Sequence, residues 1–387
     1  MQRGSTGRFT VTRSGGESVQ AFIPAALPPK PPLAFTGSLQ QLLEQATLSL
    51  GRLDALSTIL PNTALLLYAY IRKEAVLSSL IEGTQSSLSD LLLFELNETP
   101  GVPLEDVVEV SNYVLALDHG LQRLRAGFPL SNRLIREIHG TLLSRGRGSD
   151  KEPGEFRRSQ NWIGGSRPGN AAFVPPPPAV VGECMTALER FLHDMGDGLP
   201  LLVRAGLAHV QFETIHPFLD GNGRVGRLLI TLLLCHGGML HEPLLYLSLY
   251  LKQHRDTYYR LLGETRSRGD WEGWITFFLE GVRQTADGAV STAQRLTTTF
   301  ADDRTKIQTG GRRTGSMLRV HEAMKAKPLT SLPDVGRQTG LTPPTAGAAM
   351  DGLVSLGIAR EVTGKRRDRI FAYDRYLSIL SEGTERP

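Results

Sequence analysis

The sequence has little of what would mark a secreted, disulfide-bonded or membrane-spanning protein. Its 387 residues include only two cysteines, Cys184 and Cys235. Both fall within apolar helical patterns, so we expect buried free thiols and no disulfide framework. No apolar run approaches the ~20 residues that a membrane span needs, and the N-terminus has no apolar run after its arginines, as a secretory signal would. These absences predict a protein of the reducing cytoplasm with no membrane partner.

Two common nucleotide and metal motifs are also missing. No Gly-Lys-Ser or Gly-Lys-Thr completes a Walker A loop. His241 and Glu242 run into Pro243 instead of forming a His-Glu-x-x-His helix, and His209 and His216 stand seven residues apart, a poor spacing for zinc. Any phosphate or metal chemistry must therefore come from a different motif.

Positive charge is concentrated in one part of the chain. The formal net charge is +4, yet residues 312–369 hold 11 Lys and Arg against 5 Asp and Glu, which is a net charge of +6. The remainder is therefore slightly negative, at about −2. Contact with nucleic acid, if there is any, is expected in this C-terminal segment.

The spacing of apolar residues predicts a mainly α fold. Residues 1–36 contain five prolines and few periodic apolar positions, so we expect an extended arm. Helices should fill residues 37–125 and 126–300, with Asn62 capping one of them. The exception is residues 154–178, whose short β-type runs and Gly-rich turns predict a β-hairpin.

A second, smaller unit should follow a linker at residues 301–315. Three short helical patterns and a β-like pair occupy residues 316–380, in the order of a winged helix-turn-helix. The third helix, residues 342–356, would then enter a DNA groove, and the basic loop 363–369 would reach phosphates. Protein contact or dimerisation is the alternative, because Ala346, Gly347, Ala348 and Ala349 offer few side chains for reading base edges.

The chemistry is concentrated in residues 216–227, HPFLDGNGRVGR. His216 can accept a proton near neutral pH, and the carboxylate of Asp220 can hold Mg²⁺. The glycines of 221–223 let backbone N–H groups turn toward an anion without a side chain in the way. They also open a helix, and a helix N-terminus favours phosphate.

Two arginines extend this site. Arg224 and Arg227 lie three residues apart in the first turn of that helix, so both can clamp phosphate oxygens. Gly221, Gly223 and Gly226 also spell G-x-G-x-x-G, but the preceding residues are helical in pattern and not the strand that a Rossmann loop requires. His216 could be a core histidine, although its polar neighbours argue against that. Together, the residues of this motif indicate a site in which a polyphosphate is held next to a general base.

The motif at residues 216–227 resembles the signature of the Fic (filamentation induced by cAMP) family, H-P-F-x-D/E-G-N-G-R-x-x-R, and fills every specified position. The resemblance extends over residues 40–300 and implies a Fic-type helical bundle. It implies that His216 deprotonates a target Ser, Thr or Tyr and that Asp220 coordinates Mg²⁺ on the phosphates of ATP. The remaining ATP contacts that it implies are Gly221, Asn222, Gly223, Arg224, Val225, Gly226 and Arg227.

The same resemblance suggests two further parts of the site. The hairpin would be a flap that holds the target's backbone, through Asn161, Trp162, Ile163 and Gly164. For the adenine pocket the candidates are Tyr250, Gln253, Tyr258 and Tyr259, with ordinary packing as the alternative for the tyrosines.

An inhibitory motif is expected far upstream. Ser78, Glu82 and Gly83 match the family's pattern S/T-x-x-x-E-G/N, and Ser78 and Glu82 share one helix face. The resemblance implies that Glu82 pairs with Arg227 and fills the space of the γ-phosphate. It thus predicts a self-inhibited protein adenylyltransferase (a nucleotidyltransferase), acting on a target protein or on itself. Removal of AMP, another nucleotidyl or phosphoryl transfer, and a nucleotide-sensing DNA-binding regulator remain alternatives, and DNA and a homodimer remain open as partners.

Overall fold

The computed structural model describes residues 3–59, 63–97, 99–194, 196–309 and 311–384, so Asn62 and its expected cap lie outside the described residues. As predicted, the described chain is mainly α-helical, with small sheets at its two ends. The helices are α1 Ser38–Ile59, α2 Thr63–Ile81, α3 Leu88–Phe94, α4 Leu104–Arg125, α5 Asn132–Leu142, α6 Pro178–His193, α7 Leu201–Ile215, α8 Asn222–His236, α9 Ser248–Gln253, α10 Arg255–Arg268, α11 Trp271–Gln308, α12 Thr314–Ala326, α13 Leu332–Thr339, α14 Pro343–Ser355 and α15 Asp374–Ser381. The strands are β1 Gly7–Ser14, β2 Glu17–Pro24, β3 Leu329–Ser331, β4 Arg360–Glu361 and β5 Ile370–Ala372.

Part of the expected N-terminal arm (1–36) is a β-hairpin, so the prediction was wrong there. Strands β1 and β2 pair antiparallel from Gly7 opposite Pro24 to Ser14 opposite Glu17. The chain reverses at two glycines with φ of 57° and 82°, a conformation that glycine adopts at little steric cost. The prolines that suggested an extended arm begin only where β2 ends.

Helices α7 and α8 form the centre of the core. Nearly all their side chains are buried, because both helices are apolar on most faces and need neighbours all around. Helices α6, α10 and α11 pack on α7, while α2, α4 and α5 pack on α8. The short connection between α7 and α8 contains His216, so it is fixed at both ends by buried helices.

The flap region has less β-structure than the hairpin predicted for residues 154–178. Ile163 and Phe173 form a single antiparallel pair, joined by N–H···O bonds of 2.8 and 3.1 Å. Gly164 and Gly165 both have positive φ, and the run of prolines from 175 to 178 has no N–H groups to extend a ladder. Strand β2 braces this segment, since Phe22 N–H donates to the carbonyl of Val174 at 2.9 Å.

Helix α11 joins the central bundle to the C-terminal region. Trp274 near its start donates from Nε1 to the Gly206 carbonyl of α7 at 2.8 Å. The helix continues to Gln308, so most of the linker expected at 301–315 is helical. Asp303 and Ile307 are buried near its end, which explains why these residues extend the helix.

The C-terminal region contains α12, α13, α14 and a three-stranded antiparallel sheet in the order β3-β5-β4. Buried Asp303 of α11 holds this region in place, because its carboxylate accepts from the Tyr373 hydroxyl at 2.8 Å and from Arg375 at 3.0 Å. Helix α15, which the sequence did not predict, packs on α2 and α3. The region therefore touches the helix that carries Ser78.

Two predicted absences can be compared with the described residues. Cys184 is buried, Cys235 is half-buried, and both are free thiols. Among the described helices, none combines the length and the apolar character needed to cross a bilayer.

Candidate active site

His216 occupies a specialised backbone position. It ends α7 with φ 50° and ψ 61°, the left-handed region that few residues other than glycine adopt. Buried Arg157 holds this turn by donating from Nε to the His216 carbonyl at 2.9 Å and from Nη2 to the Pro176 carbonyl at 2.6 Å. The positive φ therefore persists because the flap segment fixes it.

The loop after His216 is pinned by amide side chains. Asn222 accepts from Phe218 N–H and donates to the Phe218 carbonyl, both at 2.9 Å. Asn161 of the flap donates to the same carbonyl at 2.9 Å. These bonds satisfy the loop's own polar groups, so the side chain of Asn222 positions the loop that begins α8.

His139 supports the loop from the opposite side. Its ring stacks on Phe218 with centroids 3.7 Å apart. Nδ1 accepts from Gly154 N–H at 2.8 Å, which leaves Nε2 to donate to the Asp220 carbonyl at 3.1 Å. Burial lowers the pKa of His139 to about 4. A neutral ring with one donor and one acceptor is what this position requires.

Ser78, Glu82 and Arg227 come together as the inhibitory motif predicted. Arg227 donates from Nε to the Ser78 hydroxyl at 2.8 Å and from Nη2 to the Ser78 carbonyl at 3.0 Å. Nη2 also donates to Glu82 Oε1 at 2.7 Å. Although burial opposes ionisation, Arg227 holds the pKa of Glu82 below its usual value. Glu82 follows the end of α2, and Gly83 comes next with φ 93°.

The carboxylate of Glu82 lies at the N-terminus of α8. A Cβ added to Gly223 would stand 2.1 Å from Glu82 Oε1, so the carboxylate occupies the space left by the missing side chain. Helix N-termini attract anions because their first N–H groups lack helical partners. Glu82 thus sits where the sequence predicted phosphate.

Arg224 makes a different ion pair. Its Nη1 lies 2.8 Å from Glu109 Oε1, and both side chains are about 2% exposed. Arg147 approaches the same carboxylate at 2.9 Å, and Asp220 Oδ1 lies 3.6 Å from Arg224 Nη2. Burial raises the pKa of Glu109, against the opposing effect of Arg224. Arg224 therefore faces two carboxylates.

One cavity of about 300 Å³ contains His216. Burial, with the positive charges of Arg266 and Arg157, lowers the pKa of His216 to about 3, so its imidazole is neutral in this arrangement. The predicted residues that line the cavity are Glu82, Trp162, Ile163, Gly164, Gly223, Arg227, Tyr258 and Tyr259. Those that do not line it are Ser78, Gly83, Asn161, Asp220, Gly221, Asn222, Arg224, Val225, Gly226, Tyr250 and Gln253.

Two of the candidates for the adenine pocket lie outside the cavity. Tyr250 is buried against Phe277, with ring centroids 5.0 Å apart, and Gln253 is exposed at the end of α9. Tyr258 lines the cavity, but its hydroxyl is bonded to the core residue His209 at 2.8 Å. Tyr259 lines the cavity and is 41% exposed, with the Arg255 guanidinium 5.2 Å from its ring centroid.

Sequence reasoning missed two charged residues of this cavity. Glu213 and Arg266 both line it. Burial raises the pKa of Glu213 to about 7 and lowers that of Arg266 to about 10. Glu213 precedes His216 by one helical turn, a spacing that could have pointed to it, whereas Arg266 carries no local signal.

Family models match two segments of this chain. Residues 40–122 match the model described as Fic/DOC family N-terminal, and residues 129–234 match the model described as Fic/DOC family. Both segments are therefore similar to this family. The predicted resemblance to the Fic family is thereby confirmed. The second segment contains the whole 216–227 motif.

Two curated relatives carry the name Protein adenylyltransferase Fic. The one from Drosophila ananassae is 30% identical over 260 residues, which cover 64% of this chain and 48% of that protein. The one from Aedes aegypti is 32% identical over 245 residues, covering 60% and 45% respectively. The chain therefore spans about half the length of the curated relatives it matches.

Solved structures share the fold. A Fic family protein from Desulfovibrio desulfuricans G20 aligns with a TM-score of 0.58 and 21% identity, covering 89% of this chain and 98% of that one. A Fic domain containing signaling protein from Bacteroides thetaiotaomicron VPI-5482 aligns with a TM-score of 0.53 and 21% identity, covering 67% and 97%. The predicted Fic-type helical bundle is confirmed.

Proposed function

We propose that this chain transfers AMP from ATP to a Ser, Thr or Tyr hydroxyl of a protein, its own chain included, and that Glu82 inhibits the transfer. The observation that carries the proposal is the contact of Glu82 with Arg227 and Gly223, in one cavity with His216. The relatives' names support the same reaction. A neutral histidine beside an anion site is the minimum that such a transfer needs.

In the proposed reaction His216 accepts the proton of the target hydroxyl. The freed oxygen attacks the α-phosphorus, the bond from that phosphorus to the bridging oxygen breaks, and pyrophosphate leaves with the electron pair. The N-terminus of α8 and Arg227 neutralise the polyphosphate. Arg224, paired with Glu109, orients Asp220 more than it contacts phosphate.

Asp220 is the residue proposed to hold Mg²⁺. Its side chain is 38% exposed, and Oδ1 accepts from Gly221 N–H at 2.6 Å, while Oδ2 accepts no hydrogen bond from the described residues. Mg²⁺ is commonly held by one or two carboxylates together with substrate phosphates, and this single carboxylate fits that pattern. When bound, the ion would offset phosphate charge.

Inhibition follows from competition for one space. While Glu82 holds Arg227, a terminal phosphate has neither its cation nor its place beside Gly223. ATP can then bind only with its phosphates displaced, and a shift of about 1 Å can cost about 100-fold in rate. Removing the carboxylate should restore in-line geometry.

The test uses ATP labelled at the α-phosphate, Mg²⁺ and a cell lysate as the source of targets. The proteins are wild type, Glu82→Gly, and Glu82→Gly with His216→Ala. We expect labelling of protein to rise about 100-fold in Glu82→Gly and to vanish in the double variant. Absence of label in all three would reject AMP transfer and favour AMP removal, another donor, or a nucleotide-sensing regulator.

We also propose that residues 316–380 are a winged helix-turn-helix that binds DNA. The supporting observation is the exposure of the basic loop at residues 364–368, which lies between β4 and β5. The test is a mobility-shift titration of the full chain at two salt concentrations. Arg366→Glu with Arg367→Glu should weaken binding and reduce the slope of log binding constant against log salt concentration by about one for each lost contact. Equal binding by this variant would reject the proposal.

A further inference from the structure

A second cavity, of about 400 Å³, lies between the N-terminal hairpin and the start of α11. It is found at the end of the hairpin away from the glycine turn, where Ala25 N–H donates to the Thr6 carbonyl at 2.8 Å. Its walls are mostly apolar and include Ile23, Leu27 and Trp271. Neither the proposed transfer nor the C-terminal region uses this cavity.

The second cavity is close to the active site. Thr6 lines it and donates its N–H to the Arg266 carbonyl at 3.0 Å. The side chain of Arg266 lines the other cavity, which contains His216. The hairpin is also bonded to the flap, through Phe22 N–H and the Val174 carbonyl. A protein that presents a hydroxyl to His216 is therefore near enough to contact the second cavity as well.

The charge of the second cavity is positive. Among its described lining residues three are basic and none is Asp or Glu. Arg3 is already paired with Glu272 at 2.5 Å. Arg8 and Lys30 are exposed, and neither forms an ion pair or a side-chain hydrogen bond with the part of the chain that the structure describes. Two cations without partners beside apolar walls favour an acidic ligand.

Trp271 supplies a hydrogen-bond donor that lacks an acceptor. The residue is only 3% exposed, yet its Nε1 donates to no atom of the described residues. Buried indole N–H groups usually have a partner. Trp274, one turn later on α11, has one, since it donates to the Gly206 carbonyl. A ligand that brings an oxygen acceptor together with an apolar group would satisfy both the indole and the cavity walls.

Strand β1, which leads into the cavity, favours an extended peptide as that ligand. In the described chain β1 pairs with β2 alone, so its outer edge is open to a further strand. Phe9 and Val11, which are two residues apart and so share one face of the strand, are 60% and 66% exposed. A small molecule in the cavity would leave this edge and this apolar face unused.

We propose that an acidic, extended segment of the target protein docks at this place. The segment would add a strand to β1 and place one apolar side chain in the cavity beside Trp271, while its carboxylates pair with Arg8 and Lys30. The inference rests on the proposed function, because the partner is the protein to be modified. Such docking would select targets by a sequence away from the modified hydroxyl and raise the effective concentration of that hydroxyl near His216.

The first test measures binding without transfer. The probe is a fluorescein-labelled heptapeptide of alternating Glu and Leu, and fluorescence anisotropy gives its dissociation constant for the full chain at two salt concentrations. The peptide should bind, and more weakly at high salt, whereas versions with Lys or Gln in place of Glu should bind at least 10-fold more weakly. Arg8→Glu and Lys30→Glu should each weaken the acidic peptide about 10-fold, because an attraction is replaced by a repulsion. Arg52→Glu is the matched control, since Arg52 is exposed on α1 and does not line the cavity, and it should change the dissociation constant less than twofold.

The second test connects docking to the reaction. In the Glu82→Gly background, with ATP labelled at the α-phosphate, Arg8→Glu should lower the labelling of lysate proteins about 10-fold. The dissociation constant of ATP, measured by calorimetry, should not change, because Arg8 lies outside the active-site cavity. Unchanged labelling in Arg8→Glu would contradict a docking role in transfer.

Three results of the binding test would overturn the inference. They are no binding of the acidic peptide, equal binding of the acidic and Gln peptides, and equal effects of Arg8→Glu and Arg52→Glu. The first two need no variant and so cannot be blamed on misfolding. If the peptides bind as expected to a protein that labels nothing, AMP transfer is rejected and the acidic-peptide site stands. If labelling persists and the acidic peptide does not bind, docking alone is rejected.

Discussion

Arg224 and Arg227 leave the same turn of α8, and each meets one glutamate, yet the two ion pairs differ in kind. Glu109 is about 2% exposed and is shared with Arg147. Glu82 is 32% exposed, lies after the end of α2 and is followed by glycine. A buried partner fixes an arginine, whereas a partner at a helix end can leave it. The difference suggests that one pair belongs to the scaffold and the other to regulation.

The largest effect that distinguishes the pairs should be on stability. Glu109→Ala leaves a buried arginine without its main partner, so the free energy of unfolding should fall by about 3–5 kcal/mol. Glu82→Ala should lower it by about 1 kcal/mol or less, since Ser78 still holds Arg227 and water can enter the cavity. Urea unfolding monitored by circular dichroism measures both. Equal losses would erase the distinction.

Glu213, a second carboxyl group near Arg227, makes the stability of this region depend on pH. The pKa of Glu213 is raised to about 7 by burial, so the folded state binds this proton more tightly than the unfolded state does. Wild type should therefore lose stability as pH rises from about 4.5 to 7, by up to about 3 kcal/mol from this group. Glu213→Gln cannot ionise, so its stability relative to wild type should increase over that window. A constant difference from pH 4.5 to pH 8 would contradict the assignment.

The smallest effect concerns the hydroxyl that steadies Arg227. Ser78→Ala removes one hydrogen bond of 2.8 Å, worth about 1 kcal/mol, while the Ser78 carbonyl and Glu82 contacts remain. The inhibited state should weaken slightly, and labelling from ATP should rise about fivefold, well below the effect of Glu82→Gly. Ser79→Ala, on the next residue of α2, is the control and should leave labelling unchanged. A rise as large as that of Glu82→Gly would mean that the serine, and not the glutamate, dominates inhibition.

The predictable part of the site was the part encoded within a few residues. The 216–227 motif and the Ser78–Glu82 spacing each lie within one turn or loop, so their residue types and intervals already suggest their chemistry. Helix α4 was predicted at its observed bounds, 104–125, because its apolar spacing and its flanking residues agree. Locally consistent signals of this kind are what sequence reasoning reads best.

Apart from Glu213, which lies three residues before His216, the residues that sequence reasoning missed are supplied by distant elements. Glu109, His139 and Arg157 lie roughly 60 to 115 positions before their partners in the motif. Their roles follow from how α4, α5 and the flap pack around α8, which no short pattern specifies. The N-terminal hairpin was missed for another reason: its Gly-Gly turn was visible, but the later prolines dominated the interpretation.

The absent side chain at Gly223 has an evolutionary consequence. The same vacancy admits the carboxylate of Glu82 and would admit a phosphate, so any larger residue would exclude inhibitor and substrate together. Under the proposed mechanism, a substitution at Gly223 therefore cannot remove the inhibition without also removing the phosphate site. Under the proposed inhibition, escape is therefore expected at Glu82, just after the end of α2, where a substitution leaves the anion site intact.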